Sequence, residues 1–399
     1  MSQNEPNFYG LGIAPAILSV IERLKFTTPT KIQYQAIPIG LQGQDVMGIA
    51  QTGTGKTIAF GIPLIQRLAQ IKGRALVVVP TRELAIQVDE SLRKIATALG
   101  MGTVVLIGGD SMGKQIQHLR SHPRILIGTP GRLIDHMQQK TLNLHDIHIL
   151  VLDEADRMLD MGFGPQIATL LKQVPQDRQT MLFSATMPET IVNIAKSYMK
   201  LPVRVEVAPA GTMADKISQE LFIVRKEFKN QLLESTLAQY KGSVLIFCRT
   251  KFGVARLTRQ LRHAKHNAAE THSDRSLGQR KEALEGFKRG KYRILVATDI
   301  AARGIDVKGI ELVINYDLPD DPENYVHRIG RTGRAGFAGH AASFATPDQR
   351  LDVKNIERII NQTLPVAQSH PTIPLEKFHQ PKAPVMAFQT PRRMRLRRR

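Results

Sequence analysis

Short apolar runs recur along this chain, and longer amphipathic stretches separate them. The runs are RALVVVP (74–80), TVVLIGG (103–109), RILIGTP (124–130), HILVLDEAD (148–156), TMLFSATM (180–187), SVLIFCRT (243–250), RILVATD (293–299), LVINYDLP (312–319) and AASFATP (341–347). Runs that are apolar at consecutive positions indicate strands buried on both faces, as in a parallel sheet covered by helices. Because the pattern occupies both halves of the chain, it predicts two similar α/β domains.

The domain boundary is predicted where this periodicity lapses and small residues gather, in VEVAPAGTMADKISQ. We therefore expect a first domain over 1–207, a linker over 208–217 and a second domain over 218–365. Residues 366–399 are predicted to form a basic disordered tail, because they are rich in proline and arginine. Each strand run ends in a polar or glycine-bearing cluster. Ligands of open parallel sheets bind at these carboxyl ends.

The charge of the chain is strongly positive: 55 basic residues oppose 35 acidic ones, for a net charge of +20. A surplus of this size favours a polyanion partner, most often nucleic acid, over a protein that is merely basic. Tryptophan is absent and aromatic residues make up 5%. This composition argues against rows of base-stacking aromatics and favours contacts to the sugar–phosphate backbone.

The basic tail carries much of this surplus, because Lys377, Lys382 and six arginines follow the last acidic residue, Glu376. We interpret the tail as a non-specific tether for nucleic acid; a solubilising tail and a docking segment for a protein are the alternatives.

Nothing in the sequence predicts a membrane protein or a secreted one. No apolar run approaches the ~18–20 residues that span a bilayer, and MSQNEPNFYG lacks the features of a secretory signal. The single cysteine, Cys248, permits no internal disulfide. A reducing cytoplasm fits this usage, so we expect a cytoplasmic protein. We also expect a monomer.

The segment AQTGTGKT (50–57) predicts a phosphate-binding loop. A glycine-rich turn between a strand and a helix exposes backbone N–H groups that can hold phosphate oxygens. Lys56 would neutralise these oxygens, and the Thr57 hydroxyl would ligate Mg²⁺. The alternative is an ordinary glycine-rich turn.

The run ILVLDEAD (149–156) supplies the second half of such a site, an apolar strand that ends in acids. Asp153 would hold Mg²⁺, and Glu154 would polarise an attacking water, which favours hydrolysis over transfer to a bound acceptor. The alternative is an acid cluster that caps the following helix.

With these motifs, the chain resembles the DEAD-box RNA helicases in order and spacing from about Phe8 to Ala345, and most of all the short bacterial members of the RhlE kind. The resemblance implies two RecA-like domains, ATP and Mg²⁺ as cofactors, and RNA as a sequence-nonspecific partner. Ribosome-assembly or RNA-decay proteins are possible further partners.

The resemblance also assigns the residues of the ATP site. Those implied to bind the nucleotide are Phe8, Phe26, Gln33, Thr52, Gly53, Thr54, Gly55, Lys56, Thr57 and Asp306. Those implied to be catalytic are Lys56, Asp153, Glu154, Arg331 and Arg334. Those implied to couple the ATP site to domain closure are Ser184, Thr186, His327 and Arg328.

RNA contacts are implied for loops that follow the strands of both domains. The residues are Pro80, Thr81, Arg82, Gly108, Gly109, Thr129, Pro130, Gly131, Arg132, Arg249, Thr250, Arg280, Thr298 and Asp299. The segment THSDRSLGQR (271–280) departs from the family pattern, because Ser273 replaces glycine and Leu277 replaces glutamine.

Because the implied ATP residues are divided between the two domains, closure would complete the site, and ATP and RNA would bind cooperatively. We expect an RNA-dependent ATPase that separates short duplexes and is reset by hydrolysis. The alternatives are an ATP-gated RNA clamp with little unwinding, a DNA-directed motor, and an ATP-binding protein that does not hydrolyse.

Overall fold

The structure is a computed structural model and describes residues 7–51, 53–207, 217–302, 307, 309–333, 339–368 and 370–379, without the side chain of Ile300. Thr52, Asp306 and Arg334, all predicted site residues, lie outside the described residues, as does most of the predicted linker. No helix in the described part of the chain is long and apolar enough to cross a membrane.

The first domain alternates strands and helices, as the apolar runs predict. Its strands are β1 (Val46–Ile49), β2 (Arg74–Val78), β3 (Thr103–Leu106), β4 (Ile125–Gly128), β5 (Ile147–Asp153), β6 (Gln179–Ser184) and β7 (Val203–Glu206). Its helices are α1 (Pro15–Arg23), α2 (Lys31–Leu41), α3 (Lys56–Gln70), α4 (Arg82–Ala96), α5 (Met112–Leu119), α6 (Pro130–Gln138), α7 (Ala155–Asp160), α8 (Gly164–Gln173) and α9 (Glu189–Tyr198).

The second domain repeats this plan. Its strands are β8 (Ile217–Ile223), β9 (Val244–Phe247), β10 (Ala268–Thr271), β11 (Ile294–Ala297), β12 (Leu312–Asn315) and β13 (Gly339–Ala345). Its helices are α10 (Lys229–Gln239), α11 (Lys251–His263), α12 (Leu277–Lys288), α13 (Asp299–Ala302), α14 (Glu323–Ile329) and α15 (Arg350–Ile360).

Both sheets are parallel, and helices cover both of their faces. Among the described residues the strand orders are β3-β4-β2-β5-β6-β1-β7 and β10-β11-β9-β12-β13-β8. In β2, Ala75 and Val77 pack into one core cluster, while Leu76 and Val78 pack into the cluster on the other face. This division explains why the strands are apolar at every position, and the predicted fold class is confirmed.

The ordered part of the second domain extends beyond the predicted boundary at residue 365, which corrects the assignment of 366–379 to a disordered tail. Ala367 N donates to Leu221 O of the edge strand β8 at 2.9 Å, and Glu376 N donates to Ile223 O at 2.8 Å. Ile373 is buried in the core of the domain. We call residues 366–368 and 370–379 the strap. Its backbone pairs with an otherwise open sheet edge, which a composition rich in proline and charge conceals.

Candidate active site and nucleic-acid interface

The phosphate loop lies between β1 and α3 and depends on two glycines in the left-handed backbone region. Gly53 has φ +87° and Gly55 has φ +90°. A Cβ at Gly55 would overlap Gln33 Nε2, so both the backbone angle and the close approach require glycine there. Thr54 Oγ1 donates to Gln51 O at 2.7 Å and closes the turn.

Lys56 is the first residue of α3, and its side chain is only 6% exposed. Its Nζ has no hydrogen-bond partner among the described residues, although its positive charge acts to lower the pKa of both Asp153 and Glu154. A buried ammonium without a bonded acceptor, at a helix N-terminus beside a glycine turn, fits the oxygens of a polyphosphate. Thr57 follows it at the second position of the helix.

Asp153 ends β5, and Glu154 links it to α7 with a left-handed backbone (φ +53°) that is rare outside glycine. Both carboxyl groups are buried. Burial raises the pKa of Asp153 to about 6. Burial also acts to raise the pKa of Glu154, but the positive charges of Arg157, Lys56 and Arg331 outweigh it and lower that pKa to about 2. Glu154 is therefore a carboxylate at neutral pH and can accept a proton.

Arg157 is a functional residue that sequence reasoning missed. Its Nη1 lies 2.7 Å from Glu154 Oε2, and both side chains are buried. The i,i+3 spacing of the two residues on a predicted helix was a signal that could have identified the pair. Arg157 holds the Glu154 carboxylate in place and keeps it ionised.

Ser184 and Thr186, predicted to couple the ATP site to closure, are bonded to the acidic segment. Asp156 Oδ2 accepts from Ala185 N at 3.0 Å, Thr186 N at 2.9 Å and Thr186 Oγ1 at 3.1 Å. In return, Asp156 N donates to Ser184 Oγ at 3.2 Å. The end of β6 is thus tied rigidly to the start of α7, the helix that follows Glu154.

The second domain presents His327 and Arg331 to this acidic segment. His327 lies in the last turn of α14, Arg331 follows two residues after the helix ends, and Arg331 Nε donates to His327 O at 3.3 Å. Arg331 is buried, and its charge is one of those that lower the pKa of Glu154. Burial, with Arg157 beside it, lowers the pKa of His327 to about 3, so this ring is neutral at physiological pH. Side chains of both domains therefore meet at one buried cluster.

Arg328 is buried and forms an ion pair within the second domain with the partly buried Asp299, whose predicted contact with RNA stays a prediction. Arg328 Nε and Nη2 lie 2.6 and 2.7 Å from the two Asp299 carboxylate oxygens. A carboxylate held in this way orients the arginine and would repel phosphate. Arg328 thereby anchors the end of β11 to α14.

Gln33, predicted to contact adenine, joins its own segment to the phosphate loop. Its Oε1 accepts from Thr30 N at 2.9 Å, and its Nε2 donates to Gly55 O at 3.1 Å. Phe26 is partly exposed. Phe8 is packed in the core of the first domain at 3% exposure, and its predicted contact with the nucleotide stays a prediction. Its apolar ring packs in that core and holds the N-terminal segment against the first domain.

The three predicted RNA loops of the first domain lie side by side, because they follow β3, β4 and β2, which are neighbours in the sheet. Arg82 packs so closely on Gly109 that a Cβ there would overlap its Nη1, and Arg132 Nη1 donates to Asp110 O at 3.2 Å. Two residues, Thr81 and Thr129, begin helices, and the Thr81 hydroxyl accepts from Leu84 N at 3.3 Å. The remaining predicted residues of these loops are Pro80, Gly108, Pro130 and Gly131.

The predicted RNA loops of the second domain follow β10, β11 and β9, which are also neighbours. Thr298 lies directly after β11, and the Thr250 hydroxyl caps α11 by accepting from Gly253 N at 3.0 Å. Arg249 is paired with Asp320 at 3.1 Å. Each sheet therefore brings its predicted contact residues to one edge.

Arg280, predicted to contact RNA, forms an ion pair that crosses the domain interface. Its Nη2 lies 2.8 Å from Glu83 Oε1 of the first domain, and both side chains are largely buried. Leu277, one turn earlier on α12, packs against the core cluster of the first domain. The sequence could not indicate this pairing, because about 200 residues separate two ordinary charged side chains.

Family models match most of the chain. Residues 30–194 match the DEAD/DEAH box helicase model, and residues 227–336 match the helicase conserved C-terminal domain. Over 355 residues, the chain is 45% identical to the DEAD-box ATP-dependent RNA helicase CshA of Geobacillus kaustophilus, covering 88% of this chain and 76% of that protein.

Solved structures agree on the fold and differ in their match to the whole chain. S. cerevisiae Dbp5 bound to RNA and ADP BeF3 is 32% identical, with a TM-score of 0.80 over 89% of this chain and 92% of that one. A DEAD box protein from Methanococcus jannaschii is 37% identical, yet its TM-score is 0.53 over 91% and 99%. Coverage is similar in the two comparisons, so the whole chain superposes better on the Dbp5 complex than on the Methanococcus jannaschii protein.

Proposed function

Because the chain belongs to the DEAD-box family of helicases, we propose that it is an ATP-dependent RNA helicase whose two domains close on RNA when ATP is bound. The observation that carries this proposal is the buried cluster at the interface. Lys56, Asp153 and Glu154 come from the first domain, and Arg331 and His327 come from the second. A site divided in this way is complete only when the domains meet, so hydrolysis depends on closure.

ATP and Mg²⁺ are the cofactors that these residues fit. Lys56 and the glycine turn would hold the phosphates, Thr57 and Asp153 would hold Mg²⁺, and Gln33 and Phe26 would adjoin the adenine. When bound, Mg²⁺ supplies charge stabilisation to the phosphoryl group. The Asp153 carboxyl, whose pKa burial raises in the absence of a cation, would be ionised beside one.

The residues of this chain have distinct tasks in hydrolysis. Glu154 orients the attacking water and accepts its proton, while Arg157 fixes the Glu154 carboxylate at 2.7 Å. Arg331 supplies positive charge across the interface, and an arginine that arrives only on closure is worth about 10³–10⁵ in rate. We assign Arg334 and Asp306 the second arginine contact and the ribose contact on the family resemblance alone.

The RNA-facing loops carry threonine hydroxyls, arginines and backbone amides, which suit phosphate and sugar and are indifferent to base identity. Closure aligns the loops of both domains into one groove, which we call the RNA groove. We propose that RNA bound there is bent, so a short duplex opens locally, and that hydrolysis releases the strand. We further propose a cytoplasmic monomer that acts on ribosome-assembly or RNA-decay complexes.

The experiment that tests this function is ATP hydrolysis by the full chain with single-stranded RNA and with DNA of the same sequence. We expect strong stimulation by RNA and little by DNA, because the 2′-hydroxyl distinguishes the two. Equal stimulation by DNA would indicate a DNA-directed motor. RNA-stimulated hydrolysis without strand separation of a short duplex would indicate a clamp. An absence of stimulation by either strand would contradict the proposal.

A further inference from the structure

A buried polar chain reaches the predicted RNA loops of the first domain from inside its core, and its central members are Gln115 and His136. Gln115 lies on α5 at 2% exposure, and His136 lies on α6 at 0%. Gln115 Nε2 donates to Ile107 O at 2.9 Å, and Gln115 Oε1 lies 3.1 Å from His136 Nε2. Buried polar side chains are costly unless they are bonded, and neither residue takes part in hydrolysis. The bonds therefore point to a task at the loops.

The hydrogen bonds fix the tautomer of His136. The Ile107 carbonyl can only accept, so the nitrogen of the Gln115 amide faces it and the amide oxygen faces the ring. His136 Nε2 must therefore carry the proton and donate to Gln115 Oε1. Nδ1 then accepts from the Thr141 hydroxyl at 2.8 Å. Burial, with the positive charge of Arg132 beside it, lowers the pKa of His136, so the ring is neutral at physiological pH.

This chain of bonds joins two loops that the sheet places side by side. Ile107 directly precedes the glycine pair 108–109, the predicted RNA contacts that follow β3. His136 lies on α6, whose first turn holds the predicted contacts of the next loop. Arg132 is four residues before His136, hence on the same side of α6, and its Nη1 donates to Asp110 O at 3.2 Å. The helix is therefore bonded to the loop after β3 twice, once near the surface and once in the core.

We propose that His136 is a positioning residue that acts through Gln115 to hold the loop after β3 against the start of α6, an inference that rests on the proposed function. Two loops that bind the phosphates of one strand must keep a fixed separation, because the strand sets the spacing of its phosphates. A separation that already exists in the free protein spares the cost of ordering the loops when RNA binds. The His136–Gln115 bond thus strengthens RNA binding without touching RNA.

Substitutions of His136 separate this role from simple packing. His136→Phe keeps a ring of similar size but cannot donate to Gln115 Oε1, so we expect the RNA concentration for half-maximal ATP hydrolysis to rise about tenfold. At saturating RNA, turnover and the KM for ATP should stay close to wild type, because the ATP site lies in other loops. His136→Gln can place an amide N–H near the position of Nε2 and should restore RNA affinity. His136→Asn is too short to do so and should stay weak.

Gln179 provides the matched control for Gln115. It is also buried, at the amino end of β6, and its Nε2 donates to Gly40 O and Gln44 O, both at 2.8 Å. Gln115→Leu and Gln179→Leu each remove a buried amide that bonds the backbone, so both should lower the free energy of unfolding in urea. Only Gln115→Leu should weaken RNA binding. A comparable loss of RNA affinity in both variants would reduce the effect to general stability and refute the proposal.

The double variant Gln115→Leu/His136→Phe gives an independent readout. Each single change leaves one partner buried and unpaired, whereas the double change removes both, so it should be more stable than the two single losses together imply. RNA affinity should stay as weak as in the single variants, because no side chain then bonds Ile107 O. Recovered RNA affinity in the double variant, or wild-type affinity in a folded His136→Phe chain, would overturn the positioning role alone. A wild-type chain that RNA does not stimulate would overturn the proposed function as well.

Discussion

At the residue scale, the distinctive feature of the site is a carboxylate whose chemistry is set by its neighbours. Glu154 is buried, yet three positive charges keep it ionised. Its left-handed backbone forms the turn between β5 and α7. A carboxylate in a dry site that remains charged is an effective partner for a water molecule. The strain in the backbone is consistent with a functional position.

Replacing Glu154 by glutamine should separate binding from hydrolysis. The amide cannot accept a proton, so we expect the Glu154→Gln chain to bind ATP and RNA normally while its turnover falls by about 10²–10⁴-fold. Nucleotide binding, RNA binding and steady-state hydrolysis are the measurements. Glu189 is exposed, so Glu189→Gln serves as the control and should behave as wild type. Retained turnover in Glu154→Gln would exclude Glu154 as the base.

His327 should make stability depend on pH below neutrality. Its pKa of about 3 in the folded chain lies below the unfolded value of about 6.5, so between these values the unfolded chain takes up a proton that the folded chain does not. The stability that the neutral His327 contributes is thus fully present above pH 6.5 and is lost as the pH falls towards 3. Between pH 7 and pH 5, we expect the free energy of unfolding of the His327→Gln chain to fall by up to about 2 kcal/mol less than that of wild type.

Urea unfolding of both chains at the two pH values measures this difference. Asp156, Glu154, Arg157 and Arg331 surround the imidazole and are common to both chains, so their own titration largely cancels in the comparison. An identical pH dependence of the two chains would show that the His327 ring is readily protonated in the folded state.

At the element scale, the strap gives the second domain a boundary that composition does not reveal. It covers the edge strand β8, places Ile373 in the core and forms an ion pair between Arg225 and Glu376 at 2.8 Å. An open edge strand with apolar neighbours promotes aggregation, so the strap also protects the sheet.

Truncation should locate the end of the folded domain. We expect a chain that ends at residue 379 to unfold at the same denaturant concentration as the full chain. A chain that ends at residue 365 should lose at least about 2 kcal/mol, since it exposes Ile373 and frees the backbone groups of β8. Denaturant unfolding followed by circular dichroism measures both. Equal stability of the two truncated chains would mean that the strap contributes no net stability.

At the scale of the whole molecule, the domains are held together by a polar cluster at the ATP site and by contacts of α12 near the RNA groove. The second set consists of the Arg280–Glu83 ion pair and Leu277, and both reach the first domain from one helix. Every group that bridges the domains stabilises the closed state alone. Each therefore shifts the open–closed equilibrium and, through it, the affinity for both ligands.

A charge exchange distinguishes an interdomain role of Arg280 from an RNA contact. Arg280→Glu and Glu83→Arg should each weaken ATP-dependent RNA binding by about tenfold or more. Either change places like charges where the two opposite charges now lie 2.8 Å apart. The double variant should recover most of this loss. If Arg280 acts on RNA phosphate, the double variant stays as weak as Arg280→Glu. Arg225→Glu, in the partly exposed pair within the second domain, is the control and should change binding little.

The basic segment 380–399 should act as a tether whose effect depends on salt. It carries Lys382 and six arginines. Removing it should weaken RNA binding and reduce the slope of log affinity against log salt concentration by up to about five. Maximal turnover should remain nearly intact. Changing the six arginines to lysine should preserve the slope, whereas changing them to glutamine should flatten it. An unchanged slope after truncation would exclude the tether.

The sequence alone determined the local chemistry of this protein. Consecutive apolar positions required strands buried on both faces, and glycine at Gly53 and Gly55 was needed for a left-handed turn before Lys56. The acids after β5 had to lie at the same edge of the sheet as the glycine turn after β1, because parallel strands place all their carboxyl ends there. Such features depend on residues close in the chain, where backbone sterics and periodicity suffice.

Only the tertiary structure decided which distant side chains meet. Arg280 forms an ion pair with Glu83, Asp299 forms one with Arg328, Phe8 packs in the core, and the strap pairs with β8. The energy of a charge or an aromatic ring depends on its burial and its partners, which are set by packing across long sequence separations. A predicted RNA-contact arginine and an interdomain arginine therefore look identical in the sequence until the fold brings them to their partners.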